Sequence, residues 1–245
     1  MKSNTSSHAL TIAASPSEPT AGAPPVSVAP AASSASSTIP AAGTSQHDNA
    51  DSALSPREIA VEHLTRGNDF LSEGKLEESV KEFENSVRND PESEDAHYNL
   101  AIALAKLGKD DDAIRHYEEA LKILPEYAEA HNNLGNLLVK RGQLVEAIKH
   151  FNEALEFNPD SASTHNNMGT ALARQGKLTD ATIHFAKAVQ IMPAYLDAHY
   201  NLGNAYLSQG RHDEATLEFN EALRIQPNFA PALRALDKLR HRKGP

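Results

Sequence analysis

The 245 residues predict an all-α solenoid, with a disordered tail at 1–55 followed by five 34-residue helix-turn-helix units and a capping helix within 56–243. Three observations predict it. Pro91, Pro125, Pro159, Pro193 and Pro227 stand 34 residues apart. Gly74, Gly108, Gly142, Gly176 and Gly210 keep the same period and phase, which frames gapless units at 60–93, 94–127, 128–161, 162–195 and 196–229. The third observation is a sharp change of composition near residue 55.

Before that point Ala, Ser, Thr and Pro fill 37 of 55 positions, and no aromatic residue precedes Phe70. So little large apolar surface cannot offset the entropy of ordering a backbone, so the tail is expected to be disordered. A secretory signal would need a longer apolar stretch than Ala9–Ala14, which Thr11 interrupts. The expected location is therefore the cytoplasm, with a secreted or periplasmic chain as the alternative. No later run reaches transmembrane length, so no membrane insertion is expected. Order begins at Ser55-Pro56-Arg57-Glu58, where Ser caps, Pro suits the first helical position and Glu58 closes a capping box.

Within each unit the ladder glycine ends the first helix in a left-handed conformation. An acid four residues later (Glu78, Asp112, Glu146, Asp180, Glu214) suits the positive end of the second helix, and the proline closes it. Gly67, Ala101, Gly135, Gly169 and Gly203 lie on the first helices. Ala113, Ala147, Ala181 and Ala215, then Ala120, Ala154, Ala188 and Ala222, lie on the second. These small residues permit close approach, with Tyr117, Phe151, Phe185 and Phe219 filling the space beside them. Unit one is weaker, with Arg66, Ser79 and Ser86 at apolar or small positions, as a terminal unit facing water allows. Residues 230–243 form the capping helix. Pro231 lies in its first turn, Leu233, Leu236 and Leu239 form its apolar stripe, and a basic end suits its dipole.

This pattern resembles the tetratricopeptide repeat family over 60–229. The matching residues in unit three are Leu134, Gly135, Leu138, Ala147, Phe151, Ala154 and Pro159. The resemblance implies a right-handed superhelix whose first helices line a concave groove. One departure is systematic: His63, His97, His131, His165 and His199 stand where the family often has Trp.

Composition removes several functions. With 23 Lys+Arg against 33 Asp+Glu, the net charge of −10 argues against nucleic acid as partner. The absence of Cys excludes disulfides, Cys-ligated zinc and thiol nucleophiles. His97/His116, His131/His150 and His165/His184 repeat a nineteen-residue offset. They form no HxxH or HxxxH pair, and no convergence of carboxylates is readable. Core-edge histidines are expected, with no metal and no cofactor. If buried and neutral, they make the fold acid-sensitive between about pH 7 and 5. No phosphate-binding, nucleophile-elbow or zinc-protease motif occurs, so the chain is read as noncatalytic.

Helical geometry sets His131, Leu134 and Leu138 toward the core and an opposite stripe outward. That stripe carries Asn99, Asn133, Asn167 and Asn201, beside Asn68, Asn136 and Asn204. Lys106, Lys140 and Arg174 follow one turn later, and Asp95, Glu129 and Asp197 precede it. A carboxamide both donates and accepts, so such a row can hold an extended peptide backbone, with Tyr98 and Tyr200 expected to add contacts. The ladder is similar to the repeat half of O-linked N-acetylglucosamine transferases. That resemblance implies recruitment only, because no glycosyltransferase domain follows the repeats in these 245 residues. A clamp for acidic chaperone tails is not expected, since Leu64, Glu129 and Asn133, or in later frames Asn132, Asp197 and Asn201, occupy its cationic slots.

The expected role is a scaffold that binds extended segments of other proteins. Two alternatives stay open: a substrate-recruiting partner of a glycosyltransferase or similar enzyme, and a self-assembling structural protein. For the latter, Val80-Lys81, Ile114-Arg115 and Ile148-Lys149 give way to Thr182-Ile183 and Thr216-Leu217. The change moves Ile183 and Leu217 outward, either as a weak self-association patch or through a slight helix rotation.

Overall fold

The computed structural model of the chain describes residues 54–242, so the tail expected to be disordered lies almost wholly outside the described residues. Eleven helices follow one another there without a strand: α1 (Pro56–Ser72), α2 (Leu76–Asn89), α3 (Glu94–Lys106), α4 (Asp110–Ile123), α5 (Ala128–Lys140), α6 (Leu144–Phe157), α7 (Ala162–Arg174), α8 (Leu178–Ile191), α9 (Leu196–Ser208), α10 (His212–Ile225) and α11 (Ala230–Arg242). None is long and apolar enough to cross a membrane.

Local chemistry sets where the helices begin and end. The Glu58 N–H donates to Ser55 Oγ at 3.3 Å and the Ser55 N–H donates to the Glu58 carboxylate at 2.7 Å, completing the capping box. At the end of α5, Gly142 has φ +77°. Its N–H donates to Val139 O at 3.1 Å and that of Gln143 to Leu138 O at 2.9 Å. This pair of bonds satisfies carbonyls that the last turn would otherwise leave bare, and a side chain at φ +77° would be strained. The other four ladder glycines repeat it. Acids in the first turn of every second helix face the positive end of its dipole.

Packing inside a unit depends on one close approach. A Cβ on Gly135 would stand 2.6 Å from the Phe151 ring, and Gly67, Gly169 and Gly203 meet Phe83, Phe185 and Phe219 in the same way. The helix backbone therefore lies flat on an aromatic face. Phe83, Phe151 and Phe219 are fully buried, each worth about 1.5–3 kcal/mol of transfer free energy. The alanines expected at the second-helix contacts are buried too.

Unit one keeps this plan with polar substitutes. Ser86 Oγ donates to Ala60 O at 2.8 Å, whereas the buried Ser79 Oγ has no hydrogen-bond partner among the described residues. Arg66 Nε reaches Glu82 at 3.1 Å. At the other end α11 packs on α10 through Ala232, Leu236 and Leu239, while Leu233 is 47% exposed. The expected cap stripe is thus shifted, with Ala232 taking the place assigned to Leu233.

Each helix packs on the one before it, and direct contacts also run α1–α3, α5–α7 and α7–α9. Second helices make no comparable contact with one another among the described residues. First helices thus meet one another directly as well as through the second helices between them.

Candidate peptide-binding groove

The first helices form one wall of the stack, and its asparagines are less open than the sequence suggests. Asn99, Asn133, Asn167 and Asn201 are half-buried rather than exposed. Asn133 Nδ2 donates to Tyr98 Oη at 3.1 Å, Asn167 Nδ2 to Asn132 Oδ1 at 3.0 Å, and Asn201 Nδ2 to Asn166 Oδ1 at 3.0 Å. Each bond joins residues 35 apart, so one unit's ladder asparagine is held by the fifth residue of the unit before. Asn99 instead donates to Asp95 O at 2.9 Å, within its own helix. The stripe expected to be exposed is therefore braced at Asn133, Asn167 and Asn201. The physical reason is the stacking of α5 on the α3–α4 pair and of each later unit on its predecessor, which puts a polar acceptor within reach of the Asn133, Asn167 and Asn201 amides.

Bracing uses one N–H of Asn167 and one of Asn201. Their carbonyl oxygens and second N–H groups have no partner among the described residues. Asn136 is exposed and Asn204 half-buried beside them. Of the residues that hold the ladder, Asn166 has no role in the sequence reading and Asn132 enters it only as an occupant of a clamp slot. The Asn132-Asn133 and Asn166-Asn167 dipeptides were the available signal.

Tyr98 and Tyr200 pack inward. The Tyr98 ring lies 4.7 Å from Tyr127 and 5.9 Å from Tyr117, and Tyr200 lies 5.3 Å from Phe229 and 5.8 Å from Phe219. Burial, with the Glu129 and Asp95 carboxylates adding to it, pushes the Tyr98 hydroxyl up to about 12. It stays neutral at physiological pH. Its placement is that of a brace for Asn133.

Charge is graded along the first helices. Asp95 and Glu129 are exposed at the start of α3 and α5, and Asp197 is half-buried at the start of α9, with its carboxyl raised by burial. Lys106, Lys140 and Arg174 are exposed at the opposite ends. Lys140 Nζ reaches Asp110 at 2.6 Å, and Arg174 Nη1 donates to Val139 O at 3.1 Å. Acids at helix starts and bases at helix ends follow the dipoles and give the wall opposite charge at its two edges.

The histidines in the Trp slot are buried at His97, His131 and His199 and half-buried at His63 and His165. Their second-helix partners correct the sequence expectation, because carboxylates do converge on some of them. His63 Nδ1 meets Glu82 at 2.7 Å and His199 Nδ1 meets Glu218 at 2.7 Å. His131 and His150 both approach Glu153, at 3.1 and 3.2 Å. The missed signal was the His150-x-x-Glu153 spacing, one helical turn, opposite His131.

On the outer face Ile183 and Leu217 are 63% and 65% exposed. No rotation of α8 or α10 accounts for this, since Ala181, Phe185 and Ala188 remain buried like Ala147, Phe151 and Ala154. Thr182 and Thr216 instead turn inward and donate to Thr179 O and His212 O.

Comparisons with known proteins bear on the whole solenoid. A family model described as TPR repeat matches residues 135–176, and three described as tetratricopeptide repeat match 64–128, 116–149 and 160–228. No curated protein matches in sequence. Among solved structures, YrrB, described as a TPR protein with an unusual peptide-binding site, is 26% identical with a TM-score of 0.62, over 73% of this chain and 92% of its own. MamA of Desulfovibrio magneticus RS-1 is 22% identical with a TM-score of 0.65, over 71% of this chain and 98% of its own. PilF of Pseudomonas aeruginosa is 20% identical with a TM-score of 0.67, over 73% and 81%.

Proposed function

The chain belongs to the tetratricopeptide repeat family, and we propose that it is a noncatalytic scaffold holding extended protein segments against the wall of α3, α5, α7 and α9. The observation that carries this reading is the braced amide row. An amide held by its neighbour presents its remaining donor and acceptor in a fixed direction, so less entropy is lost when a peptide binds. The row repeats at the spacing of the units, and each rung can meet a backbone N–H and C=O irrespective of side chain. YrrB, with its described peptide-binding site, supports the same use of the fold.

Magnitudes limit the claim to modest affinity. Four contacts at about 1 kcal/mol each give about 4 kcal/mol, near millimolar. Asn136, Asn204 and the exposed cations Lys106, Lys140 and Arg174 are the groups placed to add to it. The same groove would serve a recruiting partner of an enzyme, and the two readings differ only in what the bound segment is delivered to.

The test is selection of displayed peptides on the full chain, then affinity measurement with Asn133→Ala/Asn167→Ala. Val145→Ser on α6 is the control, because Val145 is 80% exposed on a second helix and its change removes neither a ladder amide nor a brace. Loss in the double variant with retention in the control supports the groove. Equal affinity in all three proteins refutes it.

A second reading rests on Ile183 and Leu217, which stand 34 residues apart on the outer face of α8 and α10. Two exposed branched side chains repeated on adjacent second helices support weak self-association there.

A further inference from the structure

We infer that unit three carries a site for a divalent transition metal, Zn²⁺ being the best fit, with His131, His150 and Glu153 as ligands. Three donor atoms from two helices meet there: His131 Nδ1 and His150 Nδ1 are 2.9 Å apart, and Glu153 Oε2 lies 3.1 Å from the first and 3.2 Å from the second. Among the described residues no other group of three such side chains comes together.

The separations match a coordination face. Tetrahedral zinc with bonds of about 2.0–2.1 Å spaces its ligand atoms about 3.3 Å apart, so this triangle needs to open by only a few tenths of an ångström. An ion seated on it would lie about 1 Å out of the plane of the three donors. Two imidazoles and one carboxylate are also a donor set that zinc accepts when a fourth position is left to water or a partner's group.

The surroundings orient the ligands as a metal site requires. His131 Nε2 lies 2.9 Å from Pro125 O, so its proton resides on Nε2 and its Nδ1 presents a lone pair. That fixed tautomer, in a side chain 8% exposed, is the outer-shell contact that holds a ligating histidine in place. Without an ion the three atoms can share only the proton of His150 Nδ1. His150, 17% exposed, can carry its proton on Nε2 instead and release Nδ1. Phe157 stacks on the His131 ring at 6.4 Å. Lys149 Nζ is 3.7 Å from the other carboxylate oxygen, Oε1, and leaves Oε2 to the cluster.

The other units supply internal controls. In unit two His97 and His116 pair at 3.0 Å, but Glu119, at the place of Glu153, is held by Lys122 at 2.6 Å. In unit four His165 and His184 pair at 3.0 Å, and Lys187 takes the place of Glu153. Unit one offers one histidine and one carboxylate, and in unit five, beside the single pair of His199 and Glu218, Glu221 at the place of Glu153 is held by Arg224 at 2.7 Å. The ion would staple α5 to α6 in the middle of the solenoid.

The experiment uses the full chain without an affinity tag, because its 12 histidines already give background binding. Co²⁺ is titrated as a visible-absorption probe and Zn²⁺ by calorimetry, with thermal midpoints read in parallel. One site per chain is expected, with a Co²⁺ band and a raised midpoint on adding Zn²⁺. Glu153→Gln and His150→Gln should each weaken it at least about tenfold and abolish the midpoint shift. His184→Gln should leave it unchanged, and Lys187→Glu, which completes the same set in unit four, should add a second site. Both loss variants change half-buried polar side chains, and circular dichroism checks that they fold. Absence of a site at 100-fold excess of metal over protein, equal binding by Glu153→Gln, equal loss in His184→Gln, or no second site in Lys187→Glu overturns the proposal.

Discussion

The Nδ1 atoms of His165 and His184 face one another at 3.0 Å, each ring fixed between two packed helices. His165 Nε2 also lies 3.1 Å from Pro159 O, so its proton sits there and the two Nδ1 atoms share one proton. A second proton would put two N–H groups nose to nose. Burial holds both histidines below the ordinary imidazole value, and for His184 the charge of His165 adds to it. One unit later the partner is Glu218, and its hydrogen bond holds His199 above that value.

These opposite shifts have opposite signs in stability. The unfolded chain takes up protons near pH 6.5 more readily than the His165/His184 pair. The pair's contribution is therefore fully present above about pH 6.5 and is lost as pH falls through its lower folded value. That of His199 is fully present below about pH 6.5 and is lost as pH rises through its higher folded value. Replacing His184→Glu transplants the arrangement of unit five into unit four. Urea midpoints at pH 7.5 and 5.5 should show a smaller acid loss in His184→Glu than in the parent chain. An equal or larger loss would contradict the neutral-pair account.

Two serines of unit one make a matched pair. Ser79 and Ser86 are both buried, but only Ser86 has a hydrogen bond, to Ala60 O. Ser79→Ala removes a hydroxyl with no partner and should raise stability by about 1 kcal/mol. Ser86→Ala leaves a buried carbonyl short of a donor and should lower it by about 1 kcal/mol. Chemical denaturation of the two variants checks the sign difference, which equal effects would refute.

Gly135→Ala tests the close approach. Its Cβ would meet the Phe151 ring at 2.6 Å. Overpacking of this kind costs about 1–3 kcal/mol, against about 1 kcal/mol regained in helix propensity. A net loss is expected. Adding Phe151→Leu to Gly135→Ala should cost less than Phe151→Leu costs alone in the Gly135 background, because the smaller side chain removes the clash. Additive losses in a double-mutant cycle would contradict steric coupling.

Sedimentation of the full chain over a wide concentration range tests the outer-face reading. A rising average mass that Ile183→Ser/Leu217→Ser abolishes is the expected result. A monomeric mass at every concentration removes the patch.

The sequence made some of this structure legible and hid the rest for definite reasons. The proline and glycine ladders report backbone requirements, so helix ends such as Gly142 were readable directly. The Gly135–Phe151 contact was readable because both residues recur with the period. Half-burial of Asn133 was not, because it depends on Tyr98 of the preceding unit, 35 residues away, and on the stagger between units. Convergence of Glu153 on His131 and His150 needed the side-chain directions of two helices. The capping helix was misphased because 232/236/239 and 233/236/239 both satisfy a helical period, and only packing on α10 chooses between them.

The central claim is that segments bind on the first-helix side. Photocrosslinking with a photoreactive residue at Asn136, exposed on α5, or at Val145, 80% exposed on α6, tests it most directly. With selected peptides, crosslinks from position 136 are predicted, weakened by Asn133→Ala/Asn167→Ala and absent from position 145. Crosslinks concentrated at position 145, or unaffected by the double variant, would contradict the account.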